Sequence, residues 1–254
     1  MARRKERKIS RTRELDFEAR EEERTGSNKK KFSIHDLRMI HPKTPAQEDV
    51  FHASMNYNNL LLYGSPGTGK TFLSMWLAFK NILDPRTPYK KLIIVRSIAA
   101  TREPGALPGE LDLKVAPFEE PYIAICNELF PYKNSYENLK KNGYLEFVTT
   151  SFLRGVTFGR EDEGVCVIFD ECQNTRDTEF FTVLSRVGEN CKLYIVGDTA
   201  QVDLNKKNDV SVFKDWIPAL KDMSTVGSVE FSYEDIVRSG FVKELVKVKD
   251  RYNL

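Results

Sequence analysis

Eight consecutive residues, Gly64-Ser65-Pro66-Gly67-Thr68-Gly69-Lys70-Thr71, have the types and spacing to hold a triphosphate. They read G-x-x-x-x-G-K-[ST], the pattern of a phosphate-binding loop. Its glycines let backbone N–H groups turn inward and wrap a phosphate chain. Lys70 is placed to reach the β- and γ-phosphates, and the Thr71 hydroxyl to ligate Mg²⁺. A second group stands about a hundred residues further on, where Val165-Cys166-Val167-Ile168-Phe169 runs into Asp170-Glu171. Two carboxylates ending an apolar strand suit two jobs. Asp170 would hold the hydration shell of Mg²⁺, and Glu171 would polarise an attacking water. A third group follows the apolar stretch Leu193-Tyr194-Ile195-Val196, which runs into Gly197-Asp198-Thr199-Ala200-Gln201. Polar side chains at such a strand end can sense a γ-phosphate, and Asp198 and Gln201 are the candidates. Together the three groups point to a site that binds a nucleoside triphosphate and could hydrolyse it.

These residues need elements to position them. Leu60-Leu61-Leu62-Tyr63 reads as a strand entering the loop, and Phe72, Leu73, Met75, Trp76, Leu77 and Phe79 as a helix leaving it. That helix points its positive N-terminal end at the phosphates. Further strands are read at 91–96, 144–148, 165–169, 193–196 and 229–231. Helices are read from Thr44-Pro45 onward, over 118–130, over 178–187 with a stop at Gly188, and over 241–252. The strands lack strong period-two alternation, so the expected fold is α/β, a mostly parallel sheet covered on both faces. Ligand should lie at the carboxyl ends of the strands. Residues 32–254 read as a single RecA-like domain. The loop Thr101 to Glu110, rich in proline and glycine, is long enough to expect a function for it.

Composition narrows the class. The chain has 254 residues, 41% hydrophobic and 30% charged, as in a soluble globular protein. No apolar run is long enough to span a bilayer and no signal peptide is visible, so the expected location is cytoplasmic. Cys126, Cys166, Cys172 and Cys191 form no C-x-x-C pair and are expected as buried, reduced thiols. His35, His41 and His52 make no zinc pattern, which leaves Mg²⁺ as the expected metal. Net charge is only +2, but residues 1–31 are crowded with arginine and lysine. This arm reads as disordered or as a loose charged helix, and it is also a handle for a nucleic acid backbone.

With these motifs together the chain resembles the PhoH-like family of ATPases, relatives of superfamily-one helicase cores. The resemblance spans roughly Thr44 to Tyr252. It rests on the G-T-G-K-T loop, Leu107-Pro108-Gly109 with Lys114 and Pro117, Leu153-Arg154-Gly155, Ile168 to Asn174, and Gly197 to Leu204. It extends to Asp235-Ile236-Val237-Arg238. Departures are Asn205, Arg96-Ser97 and Ser239-Gly240, where the family more often has proline, arginine-proline and histidine-proline.

The resemblance implies ATP and Mg²⁺ as cofactors, single-stranded RNA or DNA as partner, helicase-like activity, and a homo-oligomer, a hexameric ring. It makes Arg238 a candidate arginine finger. Such an arginine often lies too far to reach its own site and would serve a neighbouring subunit. Gln47 stands a little over twenty residues before Lys70. In helicase-like ATPases a glutamine so placed reads the adenine edge. One rival function is an ATP-dependent switch acting on a protein. Another is a small-molecule kinase, which the G-D-x-x-Q stretch disfavours.

Overall fold

The computed structural model describes residues 31–97, 111–153, 155, 157–199 and 212–252. Gln201, Arg154, the loop 98–110 and the arm before Lys31 fall outside these residues. The account below concerns the unit that begins at Phe32.

The elements run α1 (Pro45–Asn56), β1 (Asn59–Gly64), α2 (Lys70–Leu83), β2 (Tyr89–Arg96), α3 (Leu111–Leu129), α4 (Ser135–Lys141) and β3 (Leu145–Thr149). They continue with β4 (Gly164–Asp170), α5 (Asp177–Leu184), β5 (Cys191–Asp198), α6 (Phe213–Lys221), β6 (Val226–Phe231) and α7 (Gly240–Tyr252). The six strands form one sheet in the order β3-β2-β4-β5-β1-β6. Every pairing is parallel. The expected α/β fold with a parallel sheet is what the chain adopts.

The apolar runs serve both faces because successive side chains point to opposite sides. Leu60, Leu62, Ile94, Ile168 and Tyr194 join α2 residues such as Met75 and Phe79 in one core. Leu61, Tyr63, Val95, Phe169 and Ile195 join Phe180 of α5 and Phe213 of α6 in the other. Burial on both faces is why the strands read as continuous hydrophobic stretches rather than alternating ones.

Local signals set several boundaries. Thr44 caps α1, its side chain accepting from the Gln47 N–H at 3.4 Å, and Pro45 opens the helix. Five elements differ from the sequence reading. Helix α3 starts at Leu111 and continues through Pro117 and Pro121. A proline usually marks a helix start, because it removes one N–H from the ladder. Helix α5 ends at Leu184, before Gly188. Strand β6 begins at Val226, its first half disguised by Gly227 and Ser228. The short helices α4 and α6 were not expected, although Phe213, Ile217 and Leu220 are buried at helical spacing.

Parallel register then brings the chemistry together. Gly64 pairs with Asp198 on one side and Phe231 on the other. Arg96 pairs with Asp170. Strand β5 lies between β1 and β4, so its end at Asp198 stands between the glycine loop and the carboxylates. A parallel sheet leaves these ends on one edge, where the loops form a crevice.

Candidate functional site

That edge holds a cleft of about 840 Å³, within the range of small-molecule sites. Its walls include the loop from Pro66 to Thr71, Asp170, Glu171, Asp198, Arg96 and Arg238. Gln47 and residues 38–43, ahead of α1, close one side.

The loop is a backbone construction. Gly64 has φ +119°, and a Cβ there would stand 2.1 Å from the Phe231 carbonyl oxygen. The next amide, Ser65 N–H, donates to that same oxygen at 2.8 Å, which fixes the loop's departure from the sheet. Lys70 folds back over the loop and donates to Ser65 O at 2.6 Å and Gly64 O at 3.2 Å. Burial pushes its ammonium below its ordinary value, while Asp198, Asp170 and Glu171 pull it back up. A phosphate chain in the cradle would replace those carbonyls as the lysine's partner.

The carboxylate side is built from side chains. The Thr71 hydroxyl lies 3.1 Å from Asp170 Oδ1 and 3.2 Å from Oδ2. Tyr122 of α3 donates its hydroxyl to Oδ2 at 2.9 Å. Burial raises the pKa of Asp170, opposed by the Tyr122 hydrogen bond and the Arg96 charge. Glu171 is raised by burial and by its acidic neighbour. Glu171 sits at φ +54°, a left-handed conformation costing a residue with a Cβ about 1–2 kcal/mol. Such outliers cluster at working sites. Gln173 spans the gap beside it, donating from Nε2 to Glu171 Oε2 at 2.6 Å and accepting the Asp198 N–H at 2.8 Å.

A hydroxyl and a carboxylate in contact suit Mg²⁺. This ion takes one or two protein oxygens and fills its remaining positions with water and phosphate. Among the described residues no cluster of three or more His, Cys, Asp or Glu forms a dedicated metal cage. The donor set therefore fits a metal that arrives with its nucleotide.

The structure brings Lys70, Thr71, Asp170, Glu171 and Asp198 to one cleft. Gln47 is there too, its amide tied at both ends. Nε2 donates to Thr68 O and Oε1 accepts from Lys43 N–H, each at 2.9 Å. Arg238 lies beside its own loop. A methyl on Gly67 would stand 3.2 Å from Arg238 Cδ. The adjacent Val237 N–H donates to Gly67 O at 3.1 Å. Arg96, Tyr122 and Gln173 had no assigned role in the sequence. Gln173 carried the clearest signal, a polar residue two places after Glu171. Tyr122 read only as part of an apolar helix face, and Arg96 as a strand end.

A glycine loop after one parallel strand, carboxylates ending another and a strand between them define a RecA-like P-loop nucleotide-binding domain. The comparison with known proteins agrees: the family described as PhoH-like protein matches residues 39–250, and the chain belongs to that family. It is 31% identical to a PhoH-like protein of Bacillus subtilis over 97% of this chain and 73% of that protein. A PhoH-like protein of Synechocystis is 31% identical over 84% of this chain and 63% of its own length. Protein PhoH of Escherichia coli strain K12 is 29% identical over 80% of this chain and 56% of its own length. Among the described residues no helix is long and apolar enough to cross a membrane. All four cysteines are free and buried.

Proposed function

We propose that the chain binds and hydrolyses ATP with Mg²⁺, and that single-stranded RNA or DNA is its substrate or stimulates it. The observation carrying this reading is the contact of Thr71, last residue of the phosphate loop, with Asp170 at 3.1 Å beside Glu171. In this reading Lys70 and the loop amides, Gly64 through Thr71, bind the phosphates, while Thr71 and Asp170 hold the metal. When bound, Mg²⁺ would neutralise negative charge on the phosphates. Glu171 polarises the water, aimed by its bond to Gln173. Gln201 senses the γ-phosphate from the segment after β5. Gln47 faces the base side of the cleft. Arg238 is the candidate arginine finger, for its own site or a neighbour's, and a homo-hexameric ring remains part of the proposal from the family resemblance.

A second reading, a nucleotide switch acting on a protein partner, draws on α7. That helix exposes Phe241 (73%), Leu245 (54%) and Tyr252 (66%) on one stripe. Steady-state ATP hydrolysis, measured with and without Mg²⁺ and with single-stranded RNA or DNA added, tests both readings. The expected result is metal-dependent turnover that rises severalfold with one of the strands. Turnover indifferent to both strands favours the switch. No turnover under any condition removes the hydrolase reading.

A further inference from the structure

Asp170 has a partner that the phosphate-loop pattern does not require. Tyr122 lies on α3, 48 residues away in sequence, and is fully buried. A buried tyrosine needs a polar partner for its hydroxyl, because an unpaired one would be costly to desolvate. Here that partner is a carboxylate oxygen, Asp170 Oδ2, at 2.9 Å. Thr71 approaches the same carboxylate from the loop. Asp170 is thus held by one donor from the loop and by another from α3, outside every motif read in the sequence.

The tyrosine ring is itself braced. Arg96, the register partner of Asp170, places its guanidinium 6.0 Å from the Tyr122 ring and 5.6 Å from that of Phe118. Its Nη1 donates to Phe118 O at 3.2 Å, tying the end of β2 to α3. Phe147 of β3 packs 5.6 Å from the Tyr122 ring. Three elements, β2, β3 and α3, therefore fix one hydroxyl. A phenylalanine would fill the same apolar space but leave the Asp170 carboxylate without this donor.

We propose that Tyr122 is a positioning residue for the metal site, holding the Asp170 carboxylate in the orientation that receives Mg²⁺–nucleotide. This rests on the ATPase reading above. Partners that orient a metal-binding carboxylate are commonly worth about 10- to 100-fold in metal affinity or activity. Tyr122 bonds the Asp170 carboxylate and lies beside Arg96, so its loss should be felt most where the metal takes part.

The test is equilibrium binding of a non-hydrolysable ATP analogue to the full chain, titrated with Mg²⁺ and repeated in EDTA. Tyr122→Phe should raise the Mg²⁺ concentration for half-maximal tightening about tenfold or more. Its affinity in EDTA should stay within about twofold of wild type. Leu129→Ala, two turns further along α3, serves as the packing control, since it loosens the buried helix and spares the Tyr122 hydroxyl; its Mg²⁺ dependence should match wild type. An unchanged Mg²⁺ dependence in Tyr122→Phe overturns the proposal. So does equal weakening with and without metal, or an equal shift in Leu129→Ala. A wild type whose nucleotide binding ignores Mg²⁺ would instead overturn the metal-dependent ATPase reading, and this inference with it.

Discussion

The two walls of the cleft are made differently. The phosphate loop is local: eight consecutive residues, shaped by backbone conformation and by carbonyls that Lys70 holds. The carboxylate wall is assembled from distant parts of the chain. Asp170 meets Thr71 across 99 residues and Tyr122 across 48, and Gln173 reaches the Asp198 amide across 25. A wall made of backbone has few ways to change without disturbing the sheet that carries it. A wall made of side chains can lose one function and keep its fold. The two should therefore fail differently under substitution.

The largest effect should come from the loop's root. Gly64→Ala forces a Cβ against Phe231 O at 2.1 Å in a φ that side chains rarely adopt. Either β6 separates from β1 or the loop leaves the sheet elsewhere. We expect a loss of roughly 4 kcal/mol or more of stability, measured by urea unfolding, since backbone strain at a fixed position belongs to the severe class. Wild-type stability in Gly64→Ala would erase the contrast between the walls.

Next in size is the carboxylate wall's own chemistry. Glu171→Gln keeps the volume and removes the base. The fold should survive and ATP should still bind, while kcat falls by about 10²–10⁴, the usual worth of a general base. Single-turnover hydrolysis beside direct nucleotide binding separates the two quantities. Turnover at the wild-type rate would take Glu171 out of the water-activating role.

The same contrast explains what could be read from the sequence. The candidate loop was legible because its pattern lies in consecutive residues and in glycine spacing. Asp170 and Glu171 were legible because five apolar residues run into them. The parallel sheet followed from runs such as Leu60–Tyr63, whose burial on both faces removes alternation. Tyr122 and Arg96 were not legible as site residues. Their roles depend on α3 crossing the end of β4, a tertiary fact with no local mark. The turn after β6 folds back so that Val237 N–H reaches Gly67 O at 3.1 Å, a tertiary contact that sets Arg238 beside its own loop and that no local pattern marks. Helix α6 was missed although its buried Phe213, Ile217 and Leu220 keep helical spacing, because the segment is only nine residues long.

The smallest effect should fall on Gln173, and it sharpens the contrast most. The residue is almost fully buried, with an amide that joins the carboxylate wall to the end of β5. Gln173→Met keeps the length and removes both hydrogen bonds. Glu171 then loses the donor that aims its carboxylate from an unfavourable backbone conformation, while Lys70, Thr71 and Asp170 keep their contacts. The expected result is a kcat lowered roughly tenfold, inside the hundredfold that a misplacement of about 1 Å can cost, with KM for ATP within about twofold. Gln173→Glu keeps an acceptor for the Asp198 N–H but sets a second carboxylate against Glu171. Its rate should be no better than that of Gln173→Met. A merely structural role for the amide would weaken ATP binding along with turnover, so a parallel rise in KM would assign Gln173 to packing. Wild-type kcat in both variants would show that Glu171 keeps its aim without the bridge.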